Sequence, residues 1–165
     1  MRAVFLNLIL CIGLLVLAGC EKKFIPYNGP EITKVEVFKE RRLLRVLHKN
    51  TVVKTYEMEL GFGATGHKQF EGDGKTPEGR YFIDRRNPNS SFYLSLGISY
   101  PNSRDIAFAR AQGKSPGGDI FIHGQPNVVG PRGPDWTAGC IAVTNKEMRE
   151  LYAMVKLGTI IDIFP

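Results

Sequence analysis

The stretch that decides the fold is KVEVFKERRLLRVLHKNTVVKTY, residues Lys34 to Tyr56. Its first five residues alternate, placing Val35 and Val37 on one face, the period-two signature of a half-buried strand. Leu43 to Leu47 and Thr51 to Tyr56 read as two more strands, rich in apolar and β-branched residues. Between them His48-Lys49-Asn50 makes a hairpin turn. Three successive strands joined by tight turns predict an antiparallel sheet.

Working outward, GFGATGHKQFEGDGKTPEG, residues Gly61 to Gly79, shifts to glycine and charge. It reads as a long loop, and long loops in small domains usually carry function. Tyr81-Phe82-Ile83 reads as strand, followed by a turn at Asn87-Pro88-Asn89. Phe92 to Leu96 and Asp119 to Ile122 read as further short strands, and Gly124 to Asp135 as a second loop. One helix is signalled. Thr144 and Glu147 form a capping box, Met148, Leu151, Tyr152 and Val155 keep helical spacing, and Gly158 ends it. Thr159 to Phe164 closes the chain as a β-branched strand. The expectation is a mostly β domain with one short helix and no internal repeat.

With 165 residues and 43% hydrophobic composition, the chain has material for one core and one domain. Its net charge of +6 and pI near 9.3 suit a surface that meets anions. Lys and Arg are scattered and aromatics are not interleaved with them, which excludes a nucleic-acid stripe. Residues 1–20 read as an export leader. Arg2 supplies the positive start, and Ala3 to Ala18 is apolar apart from Asn7. The run falls short of the roughly 20 residues that span a bilayer. It ends in Leu17-Ala18-Gly19-Cys20, which resembles a bacterial lipobox, and so implies a lipid-modified Cys20 facing the periplasm or wall. Residues 21–31 read as a tether and 32–165 as the working domain. Cys11 leaves with the leader and Cys20 carries lipid, so Cys140 remains as a single free thiol in an exported domain.

Several chemistries fail on spacing. Gly74-Lys75-Thr76 would need a glycine at position 69 to be a phosphate loop, and that residue is Gln69. Gly97-Ile98-Ser99-Tyr100-Pro101 misses the nucleophile-elbow pattern at its last position. His48, His67, His123 and Cys140 lack the close pairing of a zinc site. His123 and Cys140 are the more productive pair. His123 ends the apolar strand after Asp119, and Cys140 begins the run Ile141-Ala142-Val143. Two neighbouring strands would bring both side chains to one edge. An imidazole beside a thiol can take its proton and later protonate a leaving amine. Gly139 lets backbone approach a substrate, where N–H groups can stabilise an oxyanion. From spacing alone, a structural cysteine beside a strand-end histidine is an equal reading.

His123-Gly124, followed by Thr137-Ala138-Gly139-Cys140-Ile141, resembles the signature of the L,D-transpeptidase catalytic domain (YkuD-type). Gly72-Asp73-Gly74-Lys75-Thr76-Pro77-Glu78-Gly79 is similar to that family's GD-x-x-TPEG stretch, and the strands leading to Glu59-Leu60-Gly61 match its opening. The resemblance covers roughly Ile32 to Pro165. Ala138 stands where many members have histidine, and Ala142 where many have arginine.

The resemblance implies a β-sandwich or barrel-like domain acting on peptidoglycan stem peptides, with no metal or organic cofactor. It implies Cys140 as nucleophile, His123 as general base and acid, and Gly139 in the oxyanion region. Thr137 would support the thiolate or cap a turn, and Gly124 and Trp136 would border substrate. Asp135 and Trp136 belong to a lid or anchor a loop. His67 reads as a solvated loop histidine, and Lys75 and Arg80 as surface charges. Transfer to a second stem gives a 3→3 cross-link. Water as acceptor gives a carboxypeptidase, and the reverse chemistry cleaves stem-peptide or wall-protein links. A wall-binding lipoprotein without thiol chemistry is the rival from another class.

Overall fold

Val35 and Val37 are fully buried in β1 (Lys34–Phe38), with half-buried neighbours between them, as the alternation requires. The computed structural model describes residues 22–127, 130 and 132–165; the expected leader, lipobox Cys20 and Glu21 lie outside them. β1 pairs antiparallel with β2 (Leu43–His48), and β2 with β3 (Thr51–Glu57), across a turn in which Lys49 adopts φ 54. The expected three-stranded antiparallel unit is present.

The rest of the sheet is mixed. The closing strand β8 (Ile160–Phe164) inserts beside β1 in parallel, Val35 opposite Ile161, and pairs on its other side with β4 (Gly79–Asn87). Beyond β4 lie β5 (Ser95–Ile98), β6 (Phe121–His123) and β7 (Ile141–Ala142), giving the order β3-β2-β1-β8-β4-β5-β6-β7. The chain leaving β3 reaches the opposite edge. Glu59 and Ala142 exchange two backbone hydrogen bonds of 2.8 Å, and Gly61 bridges Thr137. These links join the two edges and curl the sheet into the barrel-like form that the resemblance implied.

Among the described residues two helices are present where one was expected. α1 (Ser103–Ala111) is capped by Asn102, whose side chain accepts from the N–H groups of Arg104 and Asp105 while Asp105 reciprocates. Apolar periodicity could not reveal it, because its buried residues are only Asp105 and Ala109. The Asn102-to-Asp105 spacing was the available signal. α2 (Asn145–Met154) has the expected Thr144–Glu147 box and buries Met148, Leu151, Tyr152 and Met154. It stops at Met154, earlier than Gly158, because Val155 turns extended (φ −91, ψ 125).

α2 packs on β5 and β6, and all four residues of β5 are buried. The apolar pair Leu96 and Ile98 contribute about 1.5–3 kcal/mol each on burial, so the strands that carry the site rest on a filled core. Phe92 to Leu96 becomes strand only from Ser95, since Tyr93 at φ 72 breaks the extended chain. Asp119 at φ 53 likewise delays β6 to Phe121. Residues 22–31, expected as a tether, run along the body. Lys23 Nζ donates to the Pro88 carbonyl at 2.7 Å, and the Phe24 ring lies 6.1 Å from that of Tyr152.

Candidate active site

The sheet register builds the site. Arg85, Gly97 and Phe121 lie opposite one another on β4, β5 and β6, and Asn87, Ser95, His123 and Ala142 form the next rung on the same face, two residues along. Ile122 pairs with Ile141, so Cys140 enters beside Phe121 and shares the face of His123. The two residues are diagonal neighbours with backbones about 8 Å apart. Both side chains border one cavity of about 480 Å³, together with Phe92, Asp119, Trp136 and Ala138.

His123 is 4% exposed, against the rings of Phe92 (4.5 Å between centroids) and Trp136 (5.7 Å). Burial pulls its pKa below the usual 6.5, and the Gly124 carbonyl opposes the shift. Nδ1 lies 2.7 Å from that carbonyl. A carbonyl only accepts, so Nδ1 carries the proton and Nε2 keeps its lone pair. Gly124 therefore sits behind the imidazole rather than on the cavity wall. A Cβ there would stand 2.5 Å from Asn145 Oδ1, which is why the position takes glycine.

The Cys140 thiol is half-buried and donates to the Asp119 carbonyl at 3.5 Å. Burial pushes its pKa up. A hydrogen bond from the Phe121 backbone and the Lys68 charge pull it down, while the Asp119 carboxylate adds to the rise. Both shifts favour the uncharged forms, a thiol and a neutral imidazole.

The turn presenting Cys140 is tied down from within and from behind. Thr137 Oγ1 donates to the Cys140 carbonyl at 2.7 Å and accepts the Gly139 N–H at 3.2 Å. Thr137 thus caps this turn, and the Gly139 N–H is already engaged. Gly139 holds φ 126, and a Cβ on it would stand 2.6 Å from the Lys75 carbonyl oxygen. Fully buried Thr76 donates Oγ1 to the Gly139 carbonyl at 2.9 Å. Lys39, 2% exposed, gathers the same loop through the carbonyls of Gly66 and Thr76 and through Glu78. Asp73 organises its tip, accepting from Lys68 and from the N–H groups of Gln69, Phe70 and Lys75. Thr76 and Asp73 sat inside the quoted glycine-rich motif, which was their signal in the sequence; nothing marked Lys39.

Of the lid-or-anchor pair, Asp135 is an anchor. Arg42 grips its carboxylate with bonds of 2.9 and 2.6 Å, and Oδ1 accepts the Leu60 N–H. Trp136 lines the cavity. His67 is not a solvated histidine. It bridges the Glu78 N–H and the Asp105 carboxylate, tying the glycine-rich loop to α1. Arg80 is exposed and bound to Asp162, in line with a surface charge. Among the described residues no three His, Cys, Asp or Glu side chains converge on a point that could hold a metal.

The sequence profile of the L,D-transpeptidase catalytic domain (YkuD) matches residues 33–163. YafK of Escherichia coli (strain K12) is 32% identical over 127 residues, covering 73% of this chain and 46% of that protein. The structure of Pgp2 from Campylobacter jejuni, described as a helical cell shape determining protein, superposes with a TM-score of 0.65 at 28% identity, over 88% of this chain and 51% of that one. An L,D-transpeptidase of Enterococcus faecium shares the fold at 18% identity, with a TM-score of 0.54 over 82% of this chain and 50% of that one. The chain spans about half the length of these relatives. With the profile covering nearly all the described residues, the chain belongs to the L,D-transpeptidase catalytic domain family.

Proposed function

We propose that this protein is an exported peptidoglycan L,D-transpeptidase, anchored by lipid on Cys20, in which Cys140 is the nucleophile and His123 the general base and acid. The observation that carries the reading is the shared sheet face. It holds thiol and imidazole two rungs apart on one cavity wall, with the imidazole tautomer set by the Gly124 carbonyl. Cys140 Sγ attacks the carbonyl carbon at the L-centre of a stem-peptide diamino acid, and its proton passes to His123 Nε2. The tetrahedral intermediate collapses, the C–N bond to the terminal D-alanine breaks, and His123 returns that proton to the departing amine. The amine of a second stem then attacks the thioester. His123 takes its proton and delivers it to the Cys140 sulfur as the C–S bond breaks, leaving a 3→3 cross-link. General acid–base catalysis of this kind contributes about 10²–10⁴-fold.

The likeness to a cell-shape protein supports a part in wall remodelling.

The test is purified disaccharide-tetrapeptide with the wild type and Cys140→Ala, products read by mass spectrometry. Loss of D-alanine with dimer formation, absent in the variant, is the expected result. Loss without dimer makes the protein a carboxypeptidase. Inertness toward tetrapeptide, cross-linked wall and protein-linked wall alike, with binding intact, makes it a wall-binding module.

A further inference from the structure

One rung of the sheet carries a feature that the reaction above does not use. Arg85 lies opposite Gly97, and Gly97 opposite Phe121, with Cys140 beyond. A Cβ on Gly97 would stand 2.9 Å from Arg85 Cβ and 3.0 Å from Arg85 Nε. The glycine therefore leaves a channel in which the arginine lies flat across β5. Its guanidinium arrives over the Phe121 ring, 4.7 Å from the centroid, and Nη1 donates to Asp119 Oδ1 at 3.0 Å. Asp119 is fixed from its own side, by a left-handed backbone and by its carbonyl holding the Cys140 thiol. Its side chain is nevertheless 83% exposed at the cavity rim.

Among the described residues lining this cavity, Asp119 alone carries a fixed charge, and Ala138 adds none. An ion pair this exposed contributes little to stability. Cys140 lies one strand spacing, about 4.8 Å, beyond Phe121. Arg85, which also reaches Asp84 (Nε to Oδ1, 3.4 Å), thus stands beside Asp119 about one side-chain length from Cys140, and Arg85 and Asp119 can turn from each other to a ligand.

We propose that Arg85 and Asp119 form a specificity element for the zwitterionic head of an amino acid, Arg85 taking its carboxylate and Asp119 its ammonium. The inference rests on the stem-peptide reading, in which the attacked carbonyl belongs to a diamino acid. A diaminopimelate residue carries ammonium and carboxylate together at its far end; a lysine residue carries the ammonium alone. The pair therefore selects stems of the diaminopimelate type.

The experiment uses the full chain in mild detergent and three disaccharide-tetrapeptides: meso-diaminopimelate, its side-chain amide, and lysine. Wild type should favour the free diaminopimelate by about ten-fold or more in KM, the scale of a charge-assisted contact. In Arg85→Gln the difference between free and amidated stems should collapse. Asp119→Asn, which keeps a residue tolerant of positive φ, should raise KM about ten-fold for all three, with kcat changed far less. Equal losses in kcat and KM for every peptide, or an unchanged preference in Arg85→Gln, overturn the proposal while leaving the function intact. Calorimetric titration of the same peptides into Cys140→Ala gives a readout that needs no turnover. Binding there with preference lost in the pair variants supports the proposal even where the transpeptidase reading fails. Binding without preference overturns the proposal alone, and no binding to any stem overturns both.

Discussion

Thr76 offers the most direct test of how the site is held. Its hydroxyl is fully buried and donates to the carbonyl of Gly139, the residue before the nucleophile. Thr76→Val keeps the shape and removes the donor, leaving a buried carbonyl without that partner at a cost of about 1–3 kcal/mol. For a chain of this size, each kcal/mol lowers Tm by roughly 2–4 °C, so a fall of several degrees is expected. The functional effect should be larger. Gly139 holds φ 126 against the Lys75 carbonyl, so once its own carbonyl is released the turn relaxes and the Cys140 sulfur moves. A displacement near 1 Å is worth about 10²-fold in rate. The assay is D-alanine release at saturating tetrapeptide alongside thermal unfolding, with Thr76→Ser as the variant that retains the hydroxyl. A valine variant that loses stability but keeps wild-type kcat, or a serine variant as impaired as valine, would refute the positioning argument.

The pH profile checks the neutral pair. His123 must be unprotonated to accept the thiol proton, and burial among Phe92 and Trp136 lowers its pKa, so kcat/KM should hold until the pH falls below the ordinary histidine value of about 6.5. Trp136→Ala, by wetting the ring, should move that acid limb upward; an acid limb above pH 7 in the wild type would refute the lowered imidazole pKa. Stability has its own acid limb. Burial pushes the Asp73 carboxyl up, but Lys68 and the N–H groups of Phe70, Gln69 and Lys75 outweigh it and hold it at about 2. A carboxyl depressed in the folded state stabilises above its unfolded pKa and loses that contribution as pH falls through the folded value. Asp73→Asn should therefore cost roughly 2–3 kcal/mol above pH 5, with the gap to wild type closing between about pH 4 and 2 in denaturant melts; a pH-independent gap would mean that the carboxylate is not the source.

The proposed catalytic pair sits on or beside strands too short to be stable by themselves. β7 has two residues and β6 three, and their geometry is set by neighbours on both sides. The Glu59–Ala142 bridge and the Thr76–Gly139 bond both reach the nucleophile strand from segments far away in sequence. Rigidity at Cys140 thus comes from closing the curled sheet, and variants in the glycine-rich loop should act on catalysis as readily as variants in the cavity.

What was legible in the sequence is what local physics dictates. Alternation placed Val35 and Val37 in the core, the capping box placed α2, and the apolar runs placed His123 at the end of one strand and Cys140 just before its neighbour. The strand limits around Tyr93 and Asp119 slipped because non-glycine residues at positive φ leave no pattern in composition. α1 was missed because its cap, rather than its periodicity, announces it. Parallel insertion of β8 beside β1, the anchoring of Asp135 by Arg42, and the reach of Arg85 across Gly97 to Asp119 were settled only by the tertiary structure. Each joins residues many positions apart, through register and through the absence of a Cβ. Sequence alone carries no distance, so it could name the reacting groups but not the contacts that hold them.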